Sequence, residues 1–221
     1  MVTFKLFFLL PILFLLSGCV IDMSLLFTDP VDYELVTPIS YYFQSELCNT
    51  NLSTCMHFIF EIDTRLGDGF SSFVLPLTND GIYDFHVFWG DGTYNHITSF
   101  LQFLEFSHSY SEAGIYQIEL IGHIEGFNFN QGFSNDAQKV TNIIKWGGIR
   151  VGNQGAYFRD TINMKSIALD SPNLKNTTNL SQMFYNSHKF NQDIGHWNVS
   201  QVKEMDKMFH SALKFDQNLR A

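Results

Sequence analysis

Positive charge is scarce in this sequence. Lys and Arg together number 13 among 221 residues, whereas Asp and Glu number 22, which gives a formal net charge of -9. No block of basic residues stands out along the chain. Because phosphate backbones and anionic headgroups repel an acidic chain without a basic patch, the composition argues against nucleic acid as a partner.

The sequence also lacks the short motifs of common enzymes and cofactor sites. It contains no Gly-x-Ser-x-Gly, no His-Glu-x-x-His and no glycine-rich phosphate loop, and the run Gly148 to Gly155 does not fit the dinucleotide-binding pattern. None of the eight histidines has the spacing of a zinc-ligand pair on one helical face. We therefore predict a non-enzymatic protein without a cofactor or a metal ion.

Residues 1–18 are typical of an export signal. The basic Lys5 precedes an apolar stretch from Leu6 to Leu16, and small residues follow it. The stretch is shorter than the roughly 20 residues that span a bilayer, and its position at the terminus disfavours a core element. The ending Leu16-Ser17-Gly18-Cys19 resembles the lipobox of bacterial lipoproteins. That resemblance implies that Cys19 becomes an acylated N-terminus and that lipid anchors the protein at the cell surface or outer membrane.

Cysteine is also scarce, since the chain has three. If Cys19 carries lipid, Cys48 and Cys55 remain, and they bracket a polar, turn-forming run in a protein exported to an oxidising compartment. We predict a disulfide between them, which would stiffen a local turn within a tether of residues 19–56. Two free thiols or a weak metal pair are the alternatives, although a zinc site needs a second pair.

Residues 57–127 are predicted to form an all-β module. Runs rich in aromatic and branched residues are separated by the turn signals Asn79-Asp80-Gly81 and Gly90-Asp91-Gly92. The predicted strands are residues 57–62, 73–77, 83–89 and 115–120. An Asp between two glycines caps its own turn through its side chain, so we predict a structural role for Asp91 rather than a catalytic or calcium-binding one.

Three short segments of this module are distinctive: Trp89-Gly90-Asp91-Gly92-Thr93, His108-Ser109-Tyr110 and Gly114-Ile115-Tyr116. Together they resemble a PKD-type domain, an immunoglobulin-like β-sandwich of extracellular proteins. The resemblance implies that the Gly-Asp-Gly turn joins two strands, that the tryptophan points into the core, and that the His-x-Tyr segment leads into the Gly-x-Tyr strand. Ala113 stands where the family often has proline, and residues 94–107 form a longer insertion.

The last part of the chain repeats one pattern at a fixed interval. The pattern is Met183-Phe184 with Phe190, and it recurs 25 residues later as Met208-Phe209 with Phe215. A degenerate first copy begins at Phe158, 26 residues before Phe184. A fixed period of this length is typical of stacked repeats. The repeats are therefore predicted to occupy residues 158–221.

We predict one degenerate and two clear repeats, preceded by a junction of residues 128–157 that contains a strand near Ile143. Leu180, Met183 and Phe184 have the i, i+3, i+4 spacing of a helical stripe, so each repeat is predicted to hold a short helix, with a short strand around residues 197–199. The apolar positions are predicted to form the repeat core: Met183, Phe184, Phe190, Ile194, Trp197, Val199, Met205, Met208, Phe209 and Phe215.

The run from Asn191 to Ser200, followed by Met205 and Met208-Phe209, resembles the BspA-like leucine-rich-type repeats of bacterial surface lipoproteins. With the lipobox and the PKD-like segments, the resemblance implies a mainly β fold with some α: an immunoglobulin-like sandwich followed by a short leucine-rich-repeat-like α/β solenoid. A stack of this kind needs about three repeats and polar caps. We therefore expect the uncapped end at Ala221 to reflect a truncated gene product or to pack on another copy.

The family is associated with surface exposure, adhesion and cell contact, so we predict a protein that presents its repeats to an unknown surface protein or glycan. Because the Met and Phe positions are assigned to the core, a partner would meet the polar residues Asn191, Gln192, Asp193 and His196. Two alternatives remain open. One is a structural scaffold or truncated relic without a partner, and the other is a fragment of a glycan-active enzyme that uses Asp91 with Glu105 or Glu119.

Overall fold

The structure is a computed structural model, and it describes residues 56–132 and 134–219. The predicted signal peptide, Cys19, the Cys48–Cys55 pair and all but the last residue of the predicted tether lie outside these residues. Among the helices that the structure does describe, none is long and apolar enough to span a bilayer.

Strands make up most of the regular structure in the described part of the chain. They are β1 (Met56–Asp63), β2 (Ser72–Val74), β3 (Leu77–Phe88), β4 (Tyr94–Ile97), β5 (Ser107–Ser109), β6 (Ile115–Phe127), β7 (Val140–Lys145) and β8 (Lys165–Ser166). A 3-10 helix (Phe129–Gln131) and the short helix α1 (Ser134–Lys139) join β6 to β7. The prediction of a mainly β fold is confirmed.

Six strands form one mixed sheet in the order β4-β3-β6-β1-β7-β8, in which only the β7–β8 pair is parallel. Strands β2 and β5 form a separate antiparallel pair. Every second residue of β1 is buried, because one face of the strand packs on the core. The sheet continues beyond the predicted module of residues 57–127, since β7 lies in the predicted junction and β8 in the predicted repeats.

The predicted strands at residues 57–62 and 115–120 fall within β1 and β6. The one at 83–89 matches β3 up to Phe88, and the one at 73–77 covers the end of β2, a break at residues 75–76 and the start of β3. The predicted turn at Asn79-Asp80-Gly81 is wrong. These residues lie inside β3 as a bulge, because Leu77 pairs with Phe127 of β6 and the regular register resumes only at Ile82. The Tyr83 hydroxyl fixes the bulge by donating to the carbonyl oxygens of Thr78 (2.7 Å) and Gly126 (2.9 Å). The chain therefore bends without reversing direction.

Three repeat units follow β7, and we name them coil 1 (residues 156–181), coil 2 (182–206) and coil 3 (207–219). Each unit begins with two non-glycine residues of positive φ, four positions apart. These pairs are Ala156 and Asp160, Gln182 and Asn186, and Lys207 and Ser211. The three units thus share these left-handed positions at their starts, and the interval from coil 1 to coil 2 is one residue longer than that from coil 2 to coil 3, as the sequence spacing predicts.

The predicted helix in each repeat is wrong, because the residues around Met183 and Phe184 form turns and none of the described residues 146–219 is helical. Left-handed conformations at Gln182 (φ 59°) and Asn186 (φ 61°) interrupt any right-handed helix there. The predicted strand at residues 197–199 is also wrong. The Trp197 N–H closes a tight turn on the carbonyl of Ile194 at 3.0 Å.

Backbone hydrogen bonds and stacked phenyl rings join each coil to the next. The N–H of Phe158 donates to the carbonyl of Met183, and the N–H of Phe184 donates to that of Met208, both at 2.9 Å. Ring centroids are 6.1 Å apart for Phe158 and Phe184, and 5.7 Å apart for Phe184 and Phe209. The spacing of the sequence repeat is therefore the spacing of stacked, hydrogen-bonded coils.

Most of the predicted repeat core is buried, but two of its members are not. Six positions are at most 9% exposed, namely Met183, Phe184, Phe190, Ile194, Trp197 and Met208, and Phe209 and Phe215 pack half-buried against them. Val199 (40% exposed) and Met205 (45%) lie at the surface, so their assignment to the core is wrong. Their counterparts one repeat earlier, Leu174 and Leu180, are buried.

Trp146 connects the sheet to the coils. It follows β7 directly, is fully buried, and stacks on Phe58 of β1 at 6.0 Å. On its other sides it makes edge contacts with Phe158 of coil 1 (5.2 Å) and Trp197 of coil 2 (5.4 Å). The sheet and the coils therefore share one hydrophobic core.

The residue after Trp146 must be glycine. Gly147 has a φ of 57°, and a Cβ atom there would lie 1.8 Å from the carbonyl oxygen of His57. The His57 N–H donates to the carbonyl of Gly147 at 3.2 Å, so the two backbones are in direct contact. This close approach brings the end of β7 against the start of β1.

A buried ion pair fixes helix α1 to the rest of the fold. The Lys139 side chain is fully buried, and its ammonium group lies 2.8 Å from an Asp68 oxygen and 3.0 Å from an Asp136 oxygen. It also donates to the carbonyl of Ser72 at 2.8 Å, so it has three oxygen partners. Such a charge is tolerated in the interior only because these partners replace water.

Candidate binding groove on the repeat coils

The segments that resemble a PKD-type domain meet at one end of the sheet. Trp89 is fully buried, as predicted, and its backbone N–H donates to the Thr93 carbonyl across the Gly-Asp-Gly turn at 3.1 Å. His108 stacks on the Trp89 ring at 4.7 Å and also contacts Asp91 Oδ2 through Nε2 at 2.7 Å. The turn joins β3 to β4, which agrees with the prediction.

The other residues of the PKD-like segments also make contacts that hold the fold together. The Tyr110 hydroxyl donates to the Trp89 carbonyl at 3.0 Å, and the Tyr110 ring stacks on Tyr116 at 3.8 Å. The Gly114 N–H donates to Thr64 Oγ1 at 2.9 Å. The left-handed Gly90 approaches the Gln117 carbonyl so closely that a Cβ would lie 2.5 Å from it. These contacts close the end of the core.

Asp91 holds its own turn, as predicted. Its Oδ1 accepts hydrogen bonds from the backbone N–H of Thr93 (2.9 Å) and from the Thr93 hydroxyl (2.6 Å). Partial burial of Asp91 opposes ionisation, but these hydrogen bonds and the one from His108 hold the pKa of its carboxyl below the usual value. Asp91 is therefore an ionised cap whose acceptor sites are occupied by the fold.

The other two carboxylates of the enzymatic alternative are engaged separately. Glu105 accepts a hydrogen bond from Asn95 Nδ2 at 2.7 Å. Glu119 is buried on β6, where it contacts His57 Nε2 and Gln117 Nε2, each at 3.0 Å. Each carboxylate thus has its own set of partners within the fold.

The predicted partner contacts lie together on the coils, in a groove of about 370 Å³. All four predicted residues line it, and the chain after β8 and one residue of coil 3 complete it. The lining consists of Ser166, Ile167, Ala168, Leu169, Asn191, Gln192, Asp193, His196 and Gln217. Because the lining comes from all three coils, stacking of the repeats creates the groove.

Gln192 forms the floor of the groove and is not available as a partner contact. Its side chain is 5% exposed, its Oε1 accepts from Trp146 Nε1 at 3.0 Å, and its Nε2 donates to the Ala168 carbonyl at 2.8 Å. Both ends of the amide are therefore used inside the protein. The prediction of Gln192 as a contact is wrong because its partners come from distant parts of the chain.

The polar rim of the groove consists of Asn191, Asp193 and His196, all exposed, together with Gln217. Asn191 Oδ1 accepts from the Gln217 amide (2.8 Å) and from the backbone N–H of Asp216 (2.9 Å), which fixes the orientation of its side chain. Asp193 Oδ1 accepts from the N–H of Gly195 at 2.9 Å. The rim thus presents oriented amides, a carboxylate and an imidazole.

Two aliphatic side chains beside this rim were missed by the sequence reasoning. Leu169 is 94% exposed and Ile167 is 64% exposed, whereas Ala168 between them is buried. The run Ser166-Ile167-Ala168-Leu169 reads as a strand with its larger residues inward, so nothing in the sequence marks them as exposed. Gln217 could have been found, because it stands 25 residues after Gln192 in the repeat.

Two other cavities have different linings. One of about 490 Å³ on the coils is lined largely by polar residues that include Asn173, Asn198 and Gln201, and its leucine, Leu174, is buried. One of about 310 Å³ lies beside the β3 bulge. Among the residues that the structure describes, no three His, Cys, Asp or Glu side chains are grouped to hold a metal ion.

Comparison with known proteins gives one match. Neither the curated proteins nor the solved structures include a chain that matches this one. The matching family covers the 3-10 helix, α1, β7, β8 and all three coils, and therefore the whole groove. Residues 127–221 match the model of the family described as DUF285, Mycoplasma protein of unknown function.

Proposed function

We propose that this chain is a lipid-anchored, non-enzymatic binding protein of the bacterial cell surface, and that the groove on its coils binds a polypeptide partner. The observation that carries the proposal is the exposed pair Ile167 and Leu169 beside the oriented polar rim. Exposed aliphatic groups next to fixed hydrogen-bonding groups are the usual composition of a protein-binding site. In this proposal the sheet is a PKD-like support, and the coils are BspA-like repeats that form a short solenoid.

The chemistry of the groove favours a polypeptide over a glycan. Of the described residues that line it, none is Trp, Tyr or Phe, the side chains on which sugar rings stack. Leu169 and Ile167 instead suit an aliphatic side chain of the partner. Asp193 adds an exposed carboxylate to the rim, so a Lys or Arg next to that aliphatic residue would complete the contact.

The groove is tested by selection from a phage-displayed random peptide library, with a glycan array in parallel. We expect peptides that combine aliphatic and basic residues, and we expect Leu169→Asp to weaken their binding about tenfold to a hundredfold. This range corresponds to loss of one buried leucine contact, about 1.5–3 kcal/mol. Binding would be measured by titration calorimetry.

The matched control is Leu101→Asp, which adds the same charge at a leucine that is 91% exposed and lies outside the groove. Its peptide affinity should equal that of the wild type. The proposal fails if no peptide is selected, which favours the scaffold alternative. It also fails if Leu169→Asp binds normally, or if array glycans bind and peptides do not.

The lipid anchor is tested separately at Cys19. Because thioether acylation requires the Cys19 thiol, Cys19→Ser is expected to abolish incorporation of a labelled fatty acid and to move the protein out of the membrane fraction. Cys48→Ser is the control and should retain both label and membrane association. Membrane association that survives Cys19→Ser would contradict the anchor, whatever the result for the groove.

A further inference from the structure

A second surface, distinct from the groove, lies on the connection between β4 and β5. We name residues 98–106 the apolar loop, because its tip exposes three large apolar side chains. Leu101 is 91% exposed, Leu104 is 86% exposed and Phe103 is 49% exposed. The Phe103 ring contacts the fully buried ring of Phe106 at 5.2 Å, so the tip is supported directly by the core.

Gln102 holds the apolar loop in this conformation. Its Oε1 accepts hydrogen bonds from the backbone N–H of Thr98 at 2.7 Å and of Ser99 at 2.9 Å. Its carbonyl oxygen accepts from the N–H of Glu105 at 2.9 Å and of Phe106 at 3.3 Å. Polar backbone groups without partners are costly in an apolar medium. A loop that pairs its own N–H groups in this way is therefore suited to enter one.

The polar side chains of the apolar loop are also engaged within the fold. The Thr98 hydroxyl donates to Gln102 Oε1 at 3.1 Å, and Ser99 Oγ accepts from a backbone N–H of the loop at 3.1 Å. Glu105 is the only charged residue of the loop, and its carboxylate accepts from Asn95 Nδ2 at 2.7 Å. Protein-binding surfaces combine apolar groups with exposed hydrogen-bonding groups, as the groove does. The tip of the apolar loop instead presents hydrocarbon, the surface that suits lipid.

The apolar loop leaves the sheet on the side from which the chain enters β1. Ile97, the last residue of β4, pairs with Phe85, and Phe85 pairs with Gly122 on its other side. Gly122 in turn pairs with Met56, the first residue of β1. These four residues form one row across β4, β3, β6 and β1, about 14 Å long at the usual strand spacing. Since β4 is antiparallel to β3 and β1 to β6, β4 leads towards the side from which β1 begins.

This side of the row is the one connected to the proposed lipid anchor. Cys19 precedes β1 in the chain, and the predicted tether of residues 19–56 ends at Met56. A protein held at a bilayer presents its loops there at a high effective concentration. A short apolar tip that would bind lipid weakly by itself is then sufficient for contact.

We propose that the tip of the apolar loop inserts into the bilayer that carries the lipid anchor. Leu101, Phe103 and Leu104 enter the boundary between headgroups and acyl chains, where interfacial apolar groups lie about 5–10 Å deep. The lipid is zwitterionic, because the acidic chain is repelled by anionic headgroups. This inference rests on the proposed anchor at Cys19 and is independent of the groove.

The test uses the lipidated full chain in vesicles of zwitterionic phosphatidylcholine with brominated acyl chains, which quench tryptophan emission on contact. Phe103→Trp places a tryptophan at the tip, and its emission is the difference from the wild type. We expect this emission to shift to shorter wavelength and to fall at least about twofold relative to vesicles without bromine, because the ring lies at the acyl boundary. The matched control is Phe70→Trp, at an aromatic that is 69% exposed and follows the opposite end of β1. Its emission should not be quenched.

Two further variants in the Phe103→Trp protein separate insertion from other causes. Leu101→Asp combined with Leu104→Asp should abolish the quenching, because two charges at exposed positions oppose insertion without altering buried contacts. Leu169→Asp in the groove should leave the quenching unchanged.

Flotation of the vesicles reports on the anchor separately. Protein that floats while Phe103→Trp stays unquenched would overturn insertion of the loop and leave the anchor in place. Protein that does not float would overturn both. Quenching that survives the two Asp substitutions would also contradict the proposal. An unquenched tryptophan whose emission shifts with the ratio of protein to lipid would assign the tip to a contact between copies.

Discussion

Replacement of Lys139 by methionine is expected to lower the free energy of unfolding by about 3–5 kcal/mol, measured by urea denaturation at pH 7. Methionine retains the length and apolar character of the side chain but removes the buried ammonium group. Asp68 and Asp136 then lose their cation, and the Ser72 carbonyl loses a donor. Removal of one partner from a buried ion pair costs this much because the other charges remain desolvated. Total stabilities are typically only about 5–15 kcal/mol, so the effect is large.

The loss in free energy of unfolding caused by Lys139→Met should become smaller as the pH falls. Burial already raises the pKa of Asp136 in the wild type, so its protonated form favours the folded state and this contribution is lost as pH rises through the folded pKa. Burial also opposes ionisation of Asp68, but the Lys139 hydrogen bond keeps its pKa below the usual value. Without Lys139 both carboxyls bind protons more tightly, so the deficit should shrink between pH 7 and pH 4.

Two variants control this experiment. Lys175→Met makes the same change at an exposed lysine and should alter stability by less than about 0.5 kcal/mol. Lys139→Met combined with Asp136→Asn also removes one of the two carboxylates that have lost their cation, so it should recover part of the lost stability. A Lys139→Met protein as stable as Lys175→Met would show that the ion pair contributes nothing net to stability.

The strands could be predicted because their signal is local. The alternation of β1, the tryptophan before the Gly-Asp-Gly turn and the 25-residue period each depend on residues close in sequence or at a regular interval. The helix in each repeat was a wrong prediction, since i, i+3, i+4 spacing is equally produced by successive tight turns. A helix and a series of turns differ in the acceptor of the Phe184 N–H. In this structure the acceptor is the carbonyl of Met208 in the next coil.

Some residues of the candidate site could be predicted from the sequence and others could not. The polar rim residues Asn191, Asp193 and His196 could be predicted, because they lie between core positions of a repeat. Gln192 could not be assigned to the floor, since its partners Trp146 and Ala168 approach it only after the coils stack on the sheet. Exposure of Leu169, and the interior position of Lys139, likewise follow from tertiary packing that no local pattern records.

Replacement of Trp146 by alanine is expected to lower the free energy of unfolding by about 3–5 kcal/mol and to uncouple the coils from the sheet. The indole packs against Phe58 of the sheet and against Phe158 and Trp197 of the coils, so its removal leaves a cavity where the two parts meet. The Gln192 Oε1 also loses its donor. Urea unfolding of the wild type should be a single transition, because both parts share one core.

Hydrogen exchange distinguishes uncoupling from a uniform loss of stability. In Trp146→Ala the amide of Phe184 in coil 2 should lose more protection than that of Phe85 in β3, because the coils depend on the sheet for burial. Trp146→Phe keeps an aromatic ring in the core but removes the Nε1 hydrogen bond and part of the indole, so it should cost about 1–3 kcal/mol, less than Trp146→Ala. Phe70→Ala, at an aromatic that is 69% exposed, should change stability by less than about 0.5 kcal/mol. Equal losses of stability for Trp146→Ala and Phe70→Ala would contradict a shared core. A larger loss for Trp146→Ala would show that Trp146 couples the sheet to the coils. Its indole N–H also fixes the floor of the groove by donating to Gln192.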